Sequence, residues 1–282
     1  SWAERKAWTE IFHFRGDQGD LDGFNGYELR TTGASFGLDS VVDGTELDKV
    51  LVGAAATYSR SSSEMNNIDS DVDIDSYQLS LYGALEDGPR FLYGQIAGLY
   101  NQYDSQRQVD VGTVQRYASA DFEGYQFGAN LKGGKTYNHN GVSIEPALSA
   151  DYALLHTKDY TESGAGNASL SVDSQTYHKL NIGPALAVSR EFKRENYKFV
   201  PKIEFGYAYD VIGDKLETTQ SFAGGGTSFT TEGLTPSRHS GYVQADMKWT
   251  VSDNLEFNLG YRLSASSAFK GHTGSLDLRY SF

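Results

Sequence analysis

The stretch Leu255-Glu-Phe-Asn-Leu-Gly-Tyr-Arg-Leu-Ser264 alternates apolar and polar side chains without interruption. In an extended strand successive side chains point to opposite faces, so one face of this segment is apolar and the other is hydrated. Its length matches the roughly 9–11 residues with which a tilted strand crosses a membrane. The stretch therefore predicts a membrane-spanning β-strand whose apolar face contacts lipid.

The same alternation continues on both sides of this stretch and becomes less regular towards the N-terminus. Further strands are predicted at 8–15, 27–42, 48–60, 71–85, 90–104, 117–133, 142–154, 176–189, 198–210, 243–251 and 275–282. About twelve strands is an even number, as in bacterial outer-membrane barrels. We therefore expect an all-β fold, a transmembrane antiparallel up-and-down β-barrel. In its first strands, small residues such as Gly53 obscure the facing, and a bulge is expected near Gly33.

The connections between the predicted strands alternate between short and long. Short turns are expected at Asp43-Gly44, Glu86–Pro89, Asn138–Gly141, Lys193–Asn196 and Ser252–Asn254. Long polar links are expected at 16–26, 61–70, 105–116, 158–175 and 212–236. Outer-membrane barrels have short periplasmic turns and long extracellular loops. Because the first long link follows the first strand, both termini are expected in the periplasm.

Composition limits the function classes. The chain has 31 Gly, 19 Tyr and 15 Phe but no Cys, which favours strands and excludes disulfides and thiolate metal sites. A net charge of -13 disfavours nucleic acid as a partner, because phosphate binding needs clustered Lys and Arg. No signal peptide begins at Ser1, so we expect a secretory signal to have been removed or to lie upstream of a fragment, and we favour the fragment.

Aromatic residues near the predicted strand ends suit the two membrane interfaces, where amphipathic rings are favoured. Those expected there are Tyr58, Tyr82, Tyr152, Tyr209, Trp249 and Tyr280.

The terminal segment Ser275-Leu-Asp-Leu-Arg-Tyr-Ser-Phe282 resembles the C-terminal assembly signal of outer-membrane proteins. Such signals end in an aromatic residue with a second one two positions earlier, as Phe282 and Tyr280 do here. Asp277 departs from the pattern, since many of these signals carry Gly at that position.

The wider chain resembles the autotransporter (type V secretion) C-terminal β-domain family over nearly its whole length. The similarity lies in the opening strand with Trp8, in Gly26–Gly33 leading to Phe36–Asp39, in Leu51–Ser59 and in Ile74–Gly83. It implies a translocator domain that anchors in the bacterial outer membrane and exports an N-terminal passenger through or alongside its pore. Residues 1–7 would end the linker from the passenger, and residues 8–282 would form the barrel.

The resemblance also implies partners. They are outer-membrane lipid and lipopolysaccharide, the barrel-assembly machinery, and the chain's own passenger and linker helix. We expect a monomer with no cofactor, no metal and no enzymatic activity in this domain.

Polar residues on the inward faces of the predicted strands are the candidates for contact with a linker helix. They are Glu145, Asp151, Glu204, Asp210, Asp246, Lys248, Glu256, Arg262, Asp277 and Arg279. Their mixed charges predict a hydrated lumen roughly as wide as one helix.

Two apparent motifs carry little chemistry. Gly33-Ala-Ser-Phe-Gly37 matches G-x-S-x-G, but no helical period follows, so Ser35 is not expected to act as a nucleophile. The alternating acidic residues between Asp69 and Asp75 lack the Gly and Glu that a calcium loop beginning at Asp71 needs, so a solvated loop is expected.

Two alternatives to the translocator remain open. The first is an outer-membrane diffusion channel for small solutes. The second is a hydrolase at the extracellular rim, for which His156 near Asp159 or His178 near Asp173 are candidate residues.

Overall fold

A computed structural model describes residues 2–21, 23–42, 47–194, 197–233 and 235–282. Its long strands are β1 (Trp2–Gln18), β2 (Tyr27–Val42), β3 (Lys49–Met65), β4 (Asp71–Asp87), β5 (Arg90–Val111), β6 (Val114–Lys135), β7 (Val142–Thr157), β8 (Gln175–Arg190), β9 (Lys198–Asp210), β10 (His239–Ser252), β11 (Leu255–Ser266) and β12 (Phe269–Ser281). Short strands lie at Tyr137–His139, Tyr160–Thr161, Leu170–Val172, Phe192–Lys193, Glu217–Phe222 and Phe229–Glu232. Within the described residues, the helical element is one 3-10 turn at Gly166–Ala168, too short to cross a membrane.

Every long strand pairs antiparallel with its neighbours in the chain, and β1 pairs with β12 from Lys6↔Ser281 to Gln18↔Phe269. This last pairing closes the sheet, so the predicted twelve-stranded barrel is confirmed. No register shift occurs at Gly33, where a bulge was expected. The shifts lie instead between Ala3 and Arg5 on β1 and between Thr250 and Ser252 on β10.

The barrel has two different ends. We call the end that carries Trp2 and Phe282 the terminal end, and the opposite one the loop end. Connections at the terminal end include the two-residue turns 88–89 and 253–254, as predicted. The predicted turn Asp43-Gly44, and residues 195–196 of the turn after β8, lie outside the described residues. β1 begins at Trp2 rather than at Trp8, so backbone pairing with β2 starts earlier than expected.

The predicted loop 105–116 is wrong. β5 and β6 continue as a paired hairpin to Val111↔Val114, and Gly112 makes the turn with a φ of 64°. β3 likewise extends to Met65 through residues assigned to a loop. These segments resemble loops in the sequence because both of their faces are polar. A strand that projects beyond the lipid into water has two hydrated faces, so both must be polar.

The connections 158–174 and 211–238 fold against each other at the loop end. Their short strands form a separate four-stranded sheet, which we call the loop sheet. Arg107 of the β5–β6 hairpin holds it through Glu162, with Nη2 and Oε2 at 2.6 Å. This contact raises the pKa of the Arg107 guanidinium. Backbone hydrogen bonds between Ser119 and Ser163 add a second attachment.

The outer surface of the barrel is apolar between its ends. Leu79 is 71% exposed, and Leu148 and Ile11 are similarly open, although such a band would be anomalous in water. Because only apolar side chains are stable against acyl chains, this band is the lipid-facing belt.

Aromatic rings border the belt. Phe199 stacks near Trp249 on the outer surface towards the terminal end, with centroids 5.1 Å apart. Tyr58, Tyr77, Tyr100 and Tyr125 form a continuous row of ring contacts towards the loop end. Tyr82, expected at an interface, instead points into the lumen.

Inward-facing aromatic rings lie directly over glycines of the neighbouring strand. Trp8 covers Gly37, Tyr82 covers Gly53 and Tyr242 covers Gly206. A Cβ atom at any of these glycines would overlap the ring. The glycines therefore let large lumenal rings pack flat against the wall.

Replacing Gly206 by Ala should destabilise the barrel by about 1–3 kcal/mol, because the new methyl group displaces the Tyr242 ring. The matched control is Gly128→Ala, an inward-facing glycine whose added Cβ would meet nothing within 4 Å. Stability is read as the urea concentration at which the unboiled sample loses its altered gel migration. Equal midpoints for the two variants would show that ring packing over Gly206 is unimportant.

Candidate functional site

The lumen of the barrel is the candidate functional site. Twelve strands spaced about 4.8 Å apart and tilted by about 40° give a backbone diameter of roughly 23 Å. Inward side chains reduce the open width to about that of one α-helix with its side chains, roughly 10–12 Å. The structure contains two lumenal cavities of about 640 and 620 Å³, which share Tyr93 and Asn130 in their walls.

One half of the wall carries salt bridges between strands. Lys132 of β6 lies 2.6 Å from Glu204 of β9, and Lys202 of β9 lies 2.6 Å from Glu145 of β7. Tyr242 of β10 donates its hydroxyl to the other oxygen of Glu204 at 2.7 Å. The two salt bridges join strands that are not direct sheet neighbours, so they brace the wall across its curvature, whereas the Tyr242 hydrogen bond joins the paired strands β9 and β10.

Further along the same wall, most charges are again satisfied locally. The Arg262 guanidinium lies 3.7 Å from the centroid of the Tyr242 ring. Lys248 lies 3.0 Å from Glu256 on the adjacent strand. Gln244 donates to Asp246 at 2.9 Å, and Asn130 donates to Asp151. The lumen therefore has a hydrated surface of alternating charge.

A second cluster lies nearer the terminal end. Trp8 donates its indole N–H to the hydroxyl of Tyr82 at 2.5 Å, and Tyr82 donates to Asp39 at 3.0 Å. Arg279 lies 3.5 Å from the same Asp39 oxygen and 3.2 Å from Asp277. The other oxygen of Asp39 is buried and has no hydrogen-bond partner among the described residues. This cluster ties β1, β2, β4 and β12 together across the closure seam.

The structure brings nine of the ten predicted lumen residues onto the inner wall, in these two groups. Asp210 differs, because it is 1% exposed and is closed off from the lumen. Its carboxylate accepts backbone N–H groups of Leu180 and Gly213 and so anchors the long connection that follows β9.

Sequence reasoning missed Trp8, Asp39 and Tyr82. Alternation could have shown their facing, because each lies an even number of positions from a polar inward residue on its strand. The alternation of polar and apolar residues is less clear here because glycines and alanines pack beneath the lumenal rings.

The other chemical candidates do not assemble a site. Ser35 lies in the middle of β2, and its hydroxyl pairs with Thr57 Oγ1 at 2.9 Å. His156 pairs with Thr176 and His178 with Tyr152, not with the acidic residues proposed for a hydrolase. Within the described ranges, no three His, Asp or Glu side chains are placed to hold a metal ion.

Arg279→Gln should lower stability by about 1–3 kcal/mol, because it leaves the carboxylate of Asp39 buried with a weaker partner. The control is Lys248→Gln, whose pair with Glu256 is more exposed and should contribute less than about 1 kcal/mol. Urea midpoints of the folded band measure both. Adding Asp39→Asn to Arg279→Gln should recover part of the loss. Equal losses for the two single variants would contradict this assignment.

Comparison with known proteins places these features in a family. The family model described as Autotransporter beta-domain matches residues 7–262. Outer membrane protein B of Rickettsia typhi is 24% identical over 287 residues, which cover 98% of this chain and 17% of that protein. Esterase EstA of Pseudomonas aeruginosa is 26% identical over 242 residues, covering 84% of this chain and 36% of that protein. The chain thus spans well under half the length of these curated relatives.

The fold has a close structural counterpart. The translocator domain of the autotransporter NalP from Neisseria meningitidis superposes with a TM-score of 0.74 at 16% identity, covering 99% of this chain and 89% of the other. Since the family model covers most of the sequence and the closed barrel agrees with it, the chain belongs to the autotransporter beta-domain family of outer-membrane translocator domains.

Proposed function

We propose that this barrel exports a passenger segment that precedes it in the full protein and then retains the linker of that passenger in its lumen. The observation that carries the proposal is the lumen lined by polar and charged side chains, which is about as wide as one helix. A chain that precedes Trp2 arrives at the terminal end of this lumen, where β1 begins. The passenger would leave at the loop end.

This route fixes the orientation of the barrel. The terminal end lies in the periplasm, so both termini are periplasmic, and the loop sheet is extracellular. The outer belt contacts outer-membrane lipid and lipopolysaccharide, and its continuous apolar surface suits a monomer. Phe282 and Tyr280 are 65% and 51% exposed, which leaves both rings accessible to the barrel-assembly machinery.

The wall charges are the proposed contacts for the linker helix. A helix satisfies its own backbone, so its side chains must find partners on the wall or in water. Asp246, Arg262 and Asp151 line the cavity between β6 and β11 and are paired with neutral groups, so they can exchange partners at low cost. The salt-bridged pairs Lys132–Glu204 and Lys202–Glu145 would remain as fixed bracing.

The barrel itself is proposed to be non-catalytic. Ser35 has no histidine partner among the described residues, and the histidines near the loop end are bound to hydroxyl groups. An esterase is among the relatives, but the match covers about a third of that protein. Any enzymatic activity of the full protein is therefore assigned to segments outside this barrel.

Export is tested with a reporter fused ahead of Ser1 together with the native upstream sequence. The reporter should become sensitive to protease added to intact cells, while the same reporter without the barrel should stay protected. Gel migration of unboiled samples shows whether the barrel is folded. A folded barrel whose reporter stays in the periplasm would refute the proposal. Large, steady conductance by the isolated barrel would favour the diffusion channel instead.

The position of the linker is tested by cross-linking, which is simple because the chain has no native Cys. Asn258→Cys places a thiol on the lumenal wall, and Leu259→Cys places one on the lipid face of the same strand. Single cysteines are scanned through the segment before Ser1. Disulfides should form with Asn258→Cys at positions repeating every three to four residues, and none with Leu259→Cys. Equal cross-linking to both would exclude a lumenal helix.

A further inference from the structure

The outer surface of the barrel carries a ring of histidines that export does not require. Among the described residues, five of the six histidines lie on the outer surface of the barrel near its loop end, and His139 ends the short strand Tyr137–His139 at the terminal end. The five, which we call the histidine collar, are His13, His156, His178, His239 and His272.

Each collar ring is held by a hydroxyl group on an adjacent strand. The Nδ1 atom of His178 lies 2.9 Å from the hydroxyl of Tyr152. The corresponding distances are 2.6 Å for His239 and Tyr207, 2.7 Å for His272 and Tyr261, 2.8 Å for His13 and Thr32, and 2.9 Å for His156 and Thr176. In all five contacts Nδ1 is the ring nitrogen that meets the hydroxyl, so the opposite nitrogen, Nε2, points away from that partner.

The collar lies where the apolar belt ends. On β8 the outward positions Leu186 and Ile182 are followed towards the loop end by His178. On β10 the outward Val243 precedes His239 in the same direction, and on β12 Leu276 precedes His272. Each histidine therefore occupies the level at which acyl chains give way to lipid headgroups.

The collar covers one side of the barrel. Its members lie on β7, β8, β10, β12 and β1. On the other side, β3 to β6 carry the tyrosine row at this level, and above it lie carboxylates such as Asp73 and Glu123, paired with Arg60 and Lys158. The two sides thus offer different chemistry to the headgroup layer.

Several charged or titratable groups face the collar from the strands packed against it. Arg15 lies beside His272 and His13. It binds Glu28 at 2.9 Å and lies 3.7 Å from Asp17. Lys270 on β12 and Arg30 on β2 lie on the same side. Beside His156 are Tyr125, on the paired strand, and Lys158, which is paired with Glu123. Beside His178 is Asp214, which accepts the backbone N–H of that histidine at 2.9 Å. Beside His239 are Tyr207 and Tyr209.

We propose that the histidine collar binds the phosphate groups of phosphorylated lipids in the outer leaflet. When the Tyr or Thr hydroxyl donates to Nδ1, a neutral ring carries its proton on Nε2 and donates it to a phosphate oxygen. A ring that donates its Nε2 proton to a charged phosphate oxygen forms a charge-assisted hydrogen bond, which is stronger than one between neutral groups. Arg15 and Lys270 add positive charge at the same level.

The location of the collar selects a lipid as the ligand. A phosphate attached to acyl chains that lie against the apolar belt is held beside the Nε2 atoms, which raises its effective concentration. The assignment to the outer leaflet rests on the proposed orientation with the loop end outside.

The test counts lipids that stay bound to the folded barrel in native mass spectrometry. The probe is lipid A added to detergent micelles, compared with the same lipid after removal of its phosphates. The variant His178→Phe/His239→Phe/His272→Phe keeps aromatic rings at the interface but removes the Nε2 donors. The control Tyr58→Phe/Tyr77→Phe/Tyr100→Phe changes as many positions on the other side.

Wild type should retain lipid A and should retain the dephosphorylated lipid poorly. The histidine variant should lose lipid A retention about fivefold or more, whereas the tyrosine control should match wild type. The three single His→Phe variants are measured in parallel and should show smaller losses, so the test holds if the triple variant folds poorly. Wild-type retention by folded histidine variants, or equal binding of both lipids, would overturn the proposal.

Discussion

Closure of β1 against β12 is the constraint on which the rest of the structure depends. In lipid, an unpaired backbone N–H or C=O group has no water to bond, so an open sheet edge is not viable. The pairing from Lys6↔Ser281 to Gln18↔Phe269 removes both edges at once. Because this seam joins the first and last strands, every strand between them must form before the barrel is complete. The cluster of Asp39, Tyr82 and Arg279 reinforces the same seam from inside.

The closed sheet also separates lipid from the aqueous lumen with a single layer of residues. Along each strand one side chain meets acyl chains and the next meets the lumen, so the sequence can carry lipid-compatible and water-compatible faces independently. The glycines under Trp8, Tyr82 and Tyr242 show how the inner face uses this freedom. The wall accepts large rings without narrowing the lumen, because the residues that they cover on the neighbouring strands have no side chains.

Alternation predicted the barrel because it is a property of backbone geometry. It reproduced the bounds of β2 and β9 and came within two residues of those of β4, β8 and β11, whereas β12 begins at Phe269, before the predicted 275. It failed at 105–116, because a strand outside the membrane has two polar faces and resembles a loop. It also misplaced Tyr82, because a position near a strand end suggested an interface although the polar residues Gln78 and Ser80 share its face. The pairing of histidines with hydroxyls across strands depends on register, which no single segment of sequence specifies.

The free energy of the charged wall depends on whether a linker helix fills the lumen. A lumen filled by a linker helix loses much of its water, so any charge left without a partner would be costly. Lys132–Glu204, Lys202–Glu145 and Lys248–Glu256 are already paired within the wall and stay satisfied whether or not a helix is present. The groups that must change partners are the fewer ones bound to neutral side chains. A wall built in this way is stable with either an occupied or an empty lumen, as the export of a polypeptide through it requires.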